Sequence, residues 1–113
     1  MESDSNKRLH FFQIHIDTFC DKWTMIVFLC LYNHGKLRFK ELHELMPDIS
    51  KKVLTDTLRN LVHKNLINRE YFPEKPPRTE YSLTEVAKSL IPYYQDITDW
   101  VQVHYDREED CYK

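Results

Sequence analysis

The stretch Asp48–Lys64, DISKKVLTDTLRNLVHK, decides how the rest of the chain is read. Pro47 breaks whatever helix precedes it. Ser50 is placed to cap a new one, its hydroxyl accepting from a first-turn amide that has no partner inside the helix. Past the cap, Leu54, Leu58, Leu61 and Val62 recur at i, i+4, i+7 and i+8, which is the spacing of one buried stripe. Lys51, Lys52, Thr55, Asp56, Arg59, Asn60 and His63 fall largely on other faces. Two lysines in the first turn oppose the helix dipole, which favours anions there, so something other than helix stability accounts for them. A phosphate or a base edge would supply it. A charged helix face is more often a solvated face and nothing else, so the flanking sequence has to decide.

Upstream, RFKELHELMPD keeps helical spacing in Phe39, Leu42, Leu45 and Met46 from Arg38 onward, after a short polar connection at Lys36 and Leu37. Only Pro47, Asp48 and Ile49 separate this helix from the next, the short turn of a helix-turn-helix unit. Downstream, LINREYF is short and β-compatible, PEKPPR makes a rigid turn, and TEYSL alternates polar and apolar, which predicts a two-stranded hairpin. Its proline-stiffened tip, Pro73 to Arg78, is expected to project Lys75 and Arg78 outward as a wing.

The ends of the chain are more apolar than one small core needs. In RLHFFQIHIDTF, Leu9, Phe12, Ile16 and Phe19 form one stripe, with Phe11 and Ile14 on a second flank. A last helix starting at Thr84 carries Val86, Leu90, Tyr94, Ile97 and Val101, with Tyr93, Trp100 and His104 beside them and Pro92 as a mild kink. Large exposed apolar patches mark interaction sites, so Leu9, Phe12, Ile16, Tyr94, Ile97 and Trp100 are the candidate contacts of a homodimer. Between these ends, Asp21–Asn33 is apolar nearly all round, a central core helix, and Gly35 supplies a left-handed end to it.

At 113 residues, 42% hydrophobic and 30% charged, the chain has the composition of a single globular domain, 1–113, with polar residues 1–7 and the acidic end 106–113 as flexible tails. The net charge of -2 hides a separation: residues 36–78 hold 10 Lys and Arg against 6 Asp and Glu, residues 79–113 hold 3 against 8. Phosphate contact needs a locally basic face, not a basic protein. No apolar run approaches the roughly 18 residues that span a bilayer, and MESDSNKR is no secretory signal, so a cytoplasmic protein away from membranes is expected. Cys20, Cys30 and Cys111 lack the paired spacing of a zinc site or a disulfide framework, and His10 and His15 do not share a helical face. Cys20, at a helix start beside Lys22, is the candidate redox thiol; Cys30 is a small core hydrophobe. No Ser/His/Asp set or glycine-rich phosphate loop is present, so neither an enzyme nor a cofactor is indicated.

RFKELHELMPDISKKVLTDTLRNL followed by PPRTEYSLTEVAKSL resembles the HxlR-type transcriptional regulators, winged helix-turn-helix proteins related in architecture to the MarR type. The likeness runs from about Lys22 to Trp100 and includes Lys22, Trp23, Arg38, Phe39, Glu41 and Leu42. Pro47, Ile49, Ser50, Leu54, Leu58, Arg59 and Leu61 continue it, and Pro76, Pro77, Glu80, Tyr81, Leu83 and Thr84 complete it. Asp21 and Ala87 stand where the family commonly has glycine, and the family's sensing cysteine falls at His10, so that function is not carried over. The resemblance implies a mainly α fold with a small β-hairpin, a homodimer formed by the terminal helices, and double-stranded DNA bearing an inverted repeat as partner. Ser50, Lys51, Lys52, Thr55 and Arg59 are then the contacts of the major-groove helix, Arg38 holds phosphate, and Lys75 and Arg78 act from the wing. The rival expectation is a winged-helix interaction module that binds protein and no DNA. No effector is indicated.

Overall fold

The computed structural model describes residues 4–105. In chain order these form α1 (Asp4–Phe19), α2 (Lys22–His34), β1 (Lys36–Arg38), α3 (Phe39–Leu45), α4 (Lys51–His63), β2 (Ile67–Phe72), β3 (Arg78–Leu83), α5 (Glu85–Lys88) and α6 (Ile91–His104). The core is built around α2. Asp21 caps it by accepting from the Thr24 amide at 3.3 Å, and Val27, Phe28 and Leu31 on its inner face are fully buried. Gly35 ends it at φ 81°, a backbone conformation that would strain any side chain, with its N–H donating to the Leu31 carbonyl.

Against α2 lie α3 and α4. The backbone N–H of Arg38 donates to Glu41 Oε1 at 2.8 Å and starts α3; Ser50 Oγ accepts from the Val53 amide at 3.1 Å and starts α4. Between them, Met46 and Ile49 are buried, so the turn is held by its own apolar side chains. His43 Nε2 lies 2.9 Å from the Ile49 carbonyl, and because a carbonyl only accepts, that nitrogen carries the proton and pins the turn to α3. Leu54, Leu58 and Leu61 deliver the inner face of α4 to the core, each burial contributing about 1.5–3 kcal/mol.

The sheet has three antiparallel strands in the order β1-β3-β2. Leu37 pairs with Tyr81 and Ile67 with Leu83, and all four side chains are buried against the helices. Lys36 and Asn68 lie opposite Ser82 on the other face, where Lys36 also approaches Glu70 at 4.0 Å.

Several expectations are corrected. Of the expected tail 1–7, residues 4–7 form the first turn of α1, which begins at Asp4, and residues 1–3 lie outside the described residues. Lys36 and Leu37 are a strand and not a connection, which makes the expected two-stranded hairpin a three-stranded sheet and leaves Arg38 as the residue before α3. The last helix is not kinked but divided: α5 ends at Lys88, and Pro92 sits in the first turn of α6, where its missing N–H costs nothing. The expectation for the acidic end 106–113, Cys111 included, lies outside the described residues.

Candidate nucleic-acid interface

Because the leucine stripe fixes the roll of α4, Lys51, Lys52, Asp56, Arg59 and Asn60 are turned to solvent. Among the described residues Lys51, Lys52, Arg59, Arg38 and Lys75 form no ion pair within 4 Å, so these cations carry uncompensated charge. Thr55 is half-buried on the flank of the helix, with part of its surface beside Lys51 and Arg59, and is not on the open face expected for it. Ser50 is exposed, and its Oγ is already an acceptor in the cap. Arg38 stands at the junction of β1 and α3, in register with Glu80 of β3, so the start of the helix-turn-helix and the base of the wing share one sheet.

The wing separates the two cations that the sequence grouped. Lys75 is exposed in the tip between β2 and β3. Arg78 does not project. It opens β3, half-buried, with its guanidinium hydrogen-bonded to Glu74, its Nε 3.1 Å from Glu80, and its Cζ 4.3 Å from the centre of the Phe72 ring. Two carboxylates neutralise it and a ring covers one face, which makes it a clasp of the wing. Glu74 and Glu80, four residues before and two after Arg78, were the available signal in the sequence.

The apolar ends behave differently from each other. Among the described residues of α1 none is fully buried: Leu9, Phe11, Phe12 and Ile14 are exposed and Ile16 is half-covered. Phe11, Phe12, Ile16, Phe19 and Cys20 line a groove of about 540 Å³ rimmed by Lys7 and Arg8. On α6, Ile97 is 52% and Trp100 57% exposed, joined by Val103 at 76%, which periodicity alone did not single out. Tyr94 is not part of this surface. It is 4% exposed, its ring lies 5.9 Å from that of Phe28, and its hydroxyl donates to the Phe19 carbonyl, so α6 is tied to the end of α1 within the chain. Lys64 Nζ also reaches Thr18 Oγ1 at 2.6 Å, joining the end of α4 to the same turn.

Cys20 is exposed where α1 meets α2; Cys30 is half-buried, and burial pushes its pKa up. Lys22, which the sequence placed beside Cys20, holds its ammonium 4.6 Å from the centre of the Trp23 ring. Among the described residues no group of three His, Cys, Asp or Glu side chains could hold a metal ion, and no helix is long and apolar enough to cross a membrane.

The site is thus a capped helix with unpaired cations, preceded by a short turn anchored on buried Met46 and Ile49 and backed by a three-stranded winged sheet. The model of the HxlR-like helix-turn-helix family matches residues 18–109. The chain belongs to that family. This HxlR-like chain is 41% identical over 98 residues to an uncharacterized HTH-type transcriptional regulator of Methanothermobacter thermautotrophicus, covering 87% of this chain and 74% of the relative. Among solved structures, that of YtcD superposes with a TM-score of 0.77 at 35% identity, covering 84% of this chain and 96% of YtcD. The redox regulator HypR in its reduced form superposes with a TM-score of 0.75 at 33% identity, covering 83% and 92%. The HxlR-like fold here is a winged helix, mainly helical with a small antiparallel sheet.

Proposed function

We propose that this chain is a DNA-binding transcriptional regulator that acts in the cytoplasm as a homodimer on an inverted-repeat operator, with α4 in the major groove and the wing tip on the backbone. The observation that carries the reading is the outward face of α4, where Lys51, Lys52 and Arg59 stand unpaired on a helix whose roll is fixed by three buried leucines. Ser50 at the helix start and Arg38 at the sheet edge extend that face towards phosphate. The exposed faces of α1 and α6, Leu9, Phe12, Ile16, Ile97 and Trp100 among them, supply the apolar area a dimer buries.

Thr55, half-buried on the flank of that face, tests whether the helix reads sequence. Its methyl and hydroxyl suit a thymine methyl or a base edge, so Thr55→Ala should cost about 1–3 kcal/mol on the best site selected from random DNA and little on unrelated DNA, at unchanged salt slope. Equal losses on all sequences would make it a backbone contact. No retardation of any DNA by the wild type would leave a protein interaction module instead.

At the wing tip, residues 73–78, Lys75 is the cation that makes no ion pair within 4 Å among the described residues. Lys75→Ala should weaken specific and unrelated DNA alike and make the salt dependence shallower by about one unit for each phosphate that the lysine no longer neutralises. An unchanged slope would remove the tip from the interface.

Of the two described cysteines, Cys20 is the one through which an oxidant reaches this assembly, being exposed at the end of the α1 groove. It should be alkylated several-fold faster than Cys30, and peroxide should alter DNA binding by the wild type but not by Cys20→Ser. Identical responses of the two proteins would leave the thiol without a regulatory role.

A further inference from the structure

Asp56 lies in the middle of the DNA-facing side of α4, where a carboxylate is electrostatically the wrong group. Helical geometry places it about 40° from Lys52 and about 60° from Arg59 around the axis. It is exposed and, among the described residues, makes no ion pair within 4 Å. The polar cleft it borders on its other side is lined by two further carboxylates, Asp17 and Asp21, with Thr18, Thr24, Thr57 and Asn60, and no cationic side chain is among that lining. Helix stability accounts for it weakly at most. As the sixth residue of α4 it lies beyond the turn in which the dipole favours anions, Lys52 precedes it by four residues in the less favourable order, and Arg59, which follows by three in the favourable order, makes no ion pair with it within 4 Å.

An unpaired carboxylate brought towards DNA is repelled by every phosphate, so it lowers affinity for all sequences. It gains only where it meets a donor on a base edge. In the major groove a carboxylate, which accepts and cannot donate, is matched by the amino group of cytosine N4, is opposed by the acceptor pair of guanine and by thymine O4, and meets the adenine N6 amino group only with the N7 acceptor beside it. Resting on the DNA-binding reading above, we infer that Asp56 is a specificity-determining residue that selects a cytosine in each half-site, trading general affinity for discrimination.

The experiment is selection from random duplex DNA by the full chain and by Asp56→Ala, followed by titration of the best site and of its variants. The wild type should select a C·G pair at one position of each half-site, and changing that pair should weaken its binding by about 5- to 140-fold. In Asp56→Ala that position should become indifferent while binding to unrelated DNA rises several-fold, the signature of a removed repulsion. Asp56→Asn, which keeps the shape and adds a donor, should also lose the cytosine preference. Because Asp56 is exposed, thermal unfolding of both variants should stay close to wild type and serves as the control. Identical preferences in wild type and Asp56→Ala would overturn the inference and leave the regulator reading intact. A wild type with no preference at any position would overturn both.

Discussion

Trp100→Glu should yield a folded monomer that loses the operator. Trp100 is 57% exposed on α6 and sits with its ring 4.5 Å from that of His104 and 6.2 Å from that of Tyr105, so it contributes to an outward aromatic cluster and not to the core. A carboxylate there has no core packing to destroy, and thermal unfolding of the monomer should remain cooperative. Buried in the proposed subunit interface, however, the same carboxylate would lose its water with only the His104 ring beside it, at a cost of several kcal/mol. A single module then grips one half-site only, and affinity should fall towards the non-specific level, on the order of a thousandfold or more. Ile97→Asp, one turn earlier, should do the same. Sedimentation and gel retardation measure the two halves of this expectation. A wild type that sediments as a monomer at tens of micromolar would remove its basis.

Tyr94→Ala, only six residues before Trp100, should do the opposite: it should damage the fold. Tyr94 is 4% exposed and packs on Phe28, so its truncation leaves a cavity at the junction of α2 and α6 and should cost about 3–5 kcal/mol, a large share of a domain's 5–15. A fall in Tm of roughly 10 °C or more follows. Tyr94→Phe keeps the packing and removes the hydrogen bond to the Phe19 carbonyl, for about 1 kcal/mol. It should also change the alkaline limb of stability. Burial, with the Cys20 thiolate adding to it, pushes the Tyr94 hydroxyl up to about 12 from an ordinary value of 10.0. The unfolded chain therefore ionises first, and this contribution is complete below pH 10 and is lost as pH rises towards 12. Tyr94→Phe should lose less stability than wild type across that window. Equal alkaline slopes, or a Tyr94→Ala protein as stable as wild type, would return Tyr94 to the surface.

That contrast shows which features were legible in the sequence. The Ser50 cap, the leucine stripe of α4, the capped end of α2 at Gly35 and the short turn after Leu45 all depend on residues within a turn or two of each other, and the structure has them where spacing placed them. Strand β1 could not be read the same way. It is three residues long, and it exists because Leu37 pairs with Tyr81, a partner far away in the chain. Tyr94 was assigned to the right stripe but to the wrong surface, because periodicity reports that a helix face is apolar and not which apolar surface covers it. Arg78 was misplaced for a related reason: a proline-rich tip suggests projection, whereas the pairing of Arg78 with Phe72 across the hairpin brings its guanidinium back over the sheet between Glu74 and Glu80. The break between α5 and α6 was more accessible, since a proline near the start of a helix fits better than one inside it.

The first helix has a consequence of its own. A segment of 16 residues is at the margin of what stays helical in water without tertiary support, and none of the side chains in α1 is fully buried within the chain. In its final turn Thr18 accepts from Lys64 and the Phe19 carbonyl accepts from Tyr94, which ties that end to the rest of the fold. In the proposed dimer, ordering of this segment and pairing of subunits become one equilibrium, in which dilution unwinds the helix and concentration rewinds it. Cellular abundance would then set the helical content of each chain, and production of the protein would itself assemble the surface that positions two reading heads on one operator.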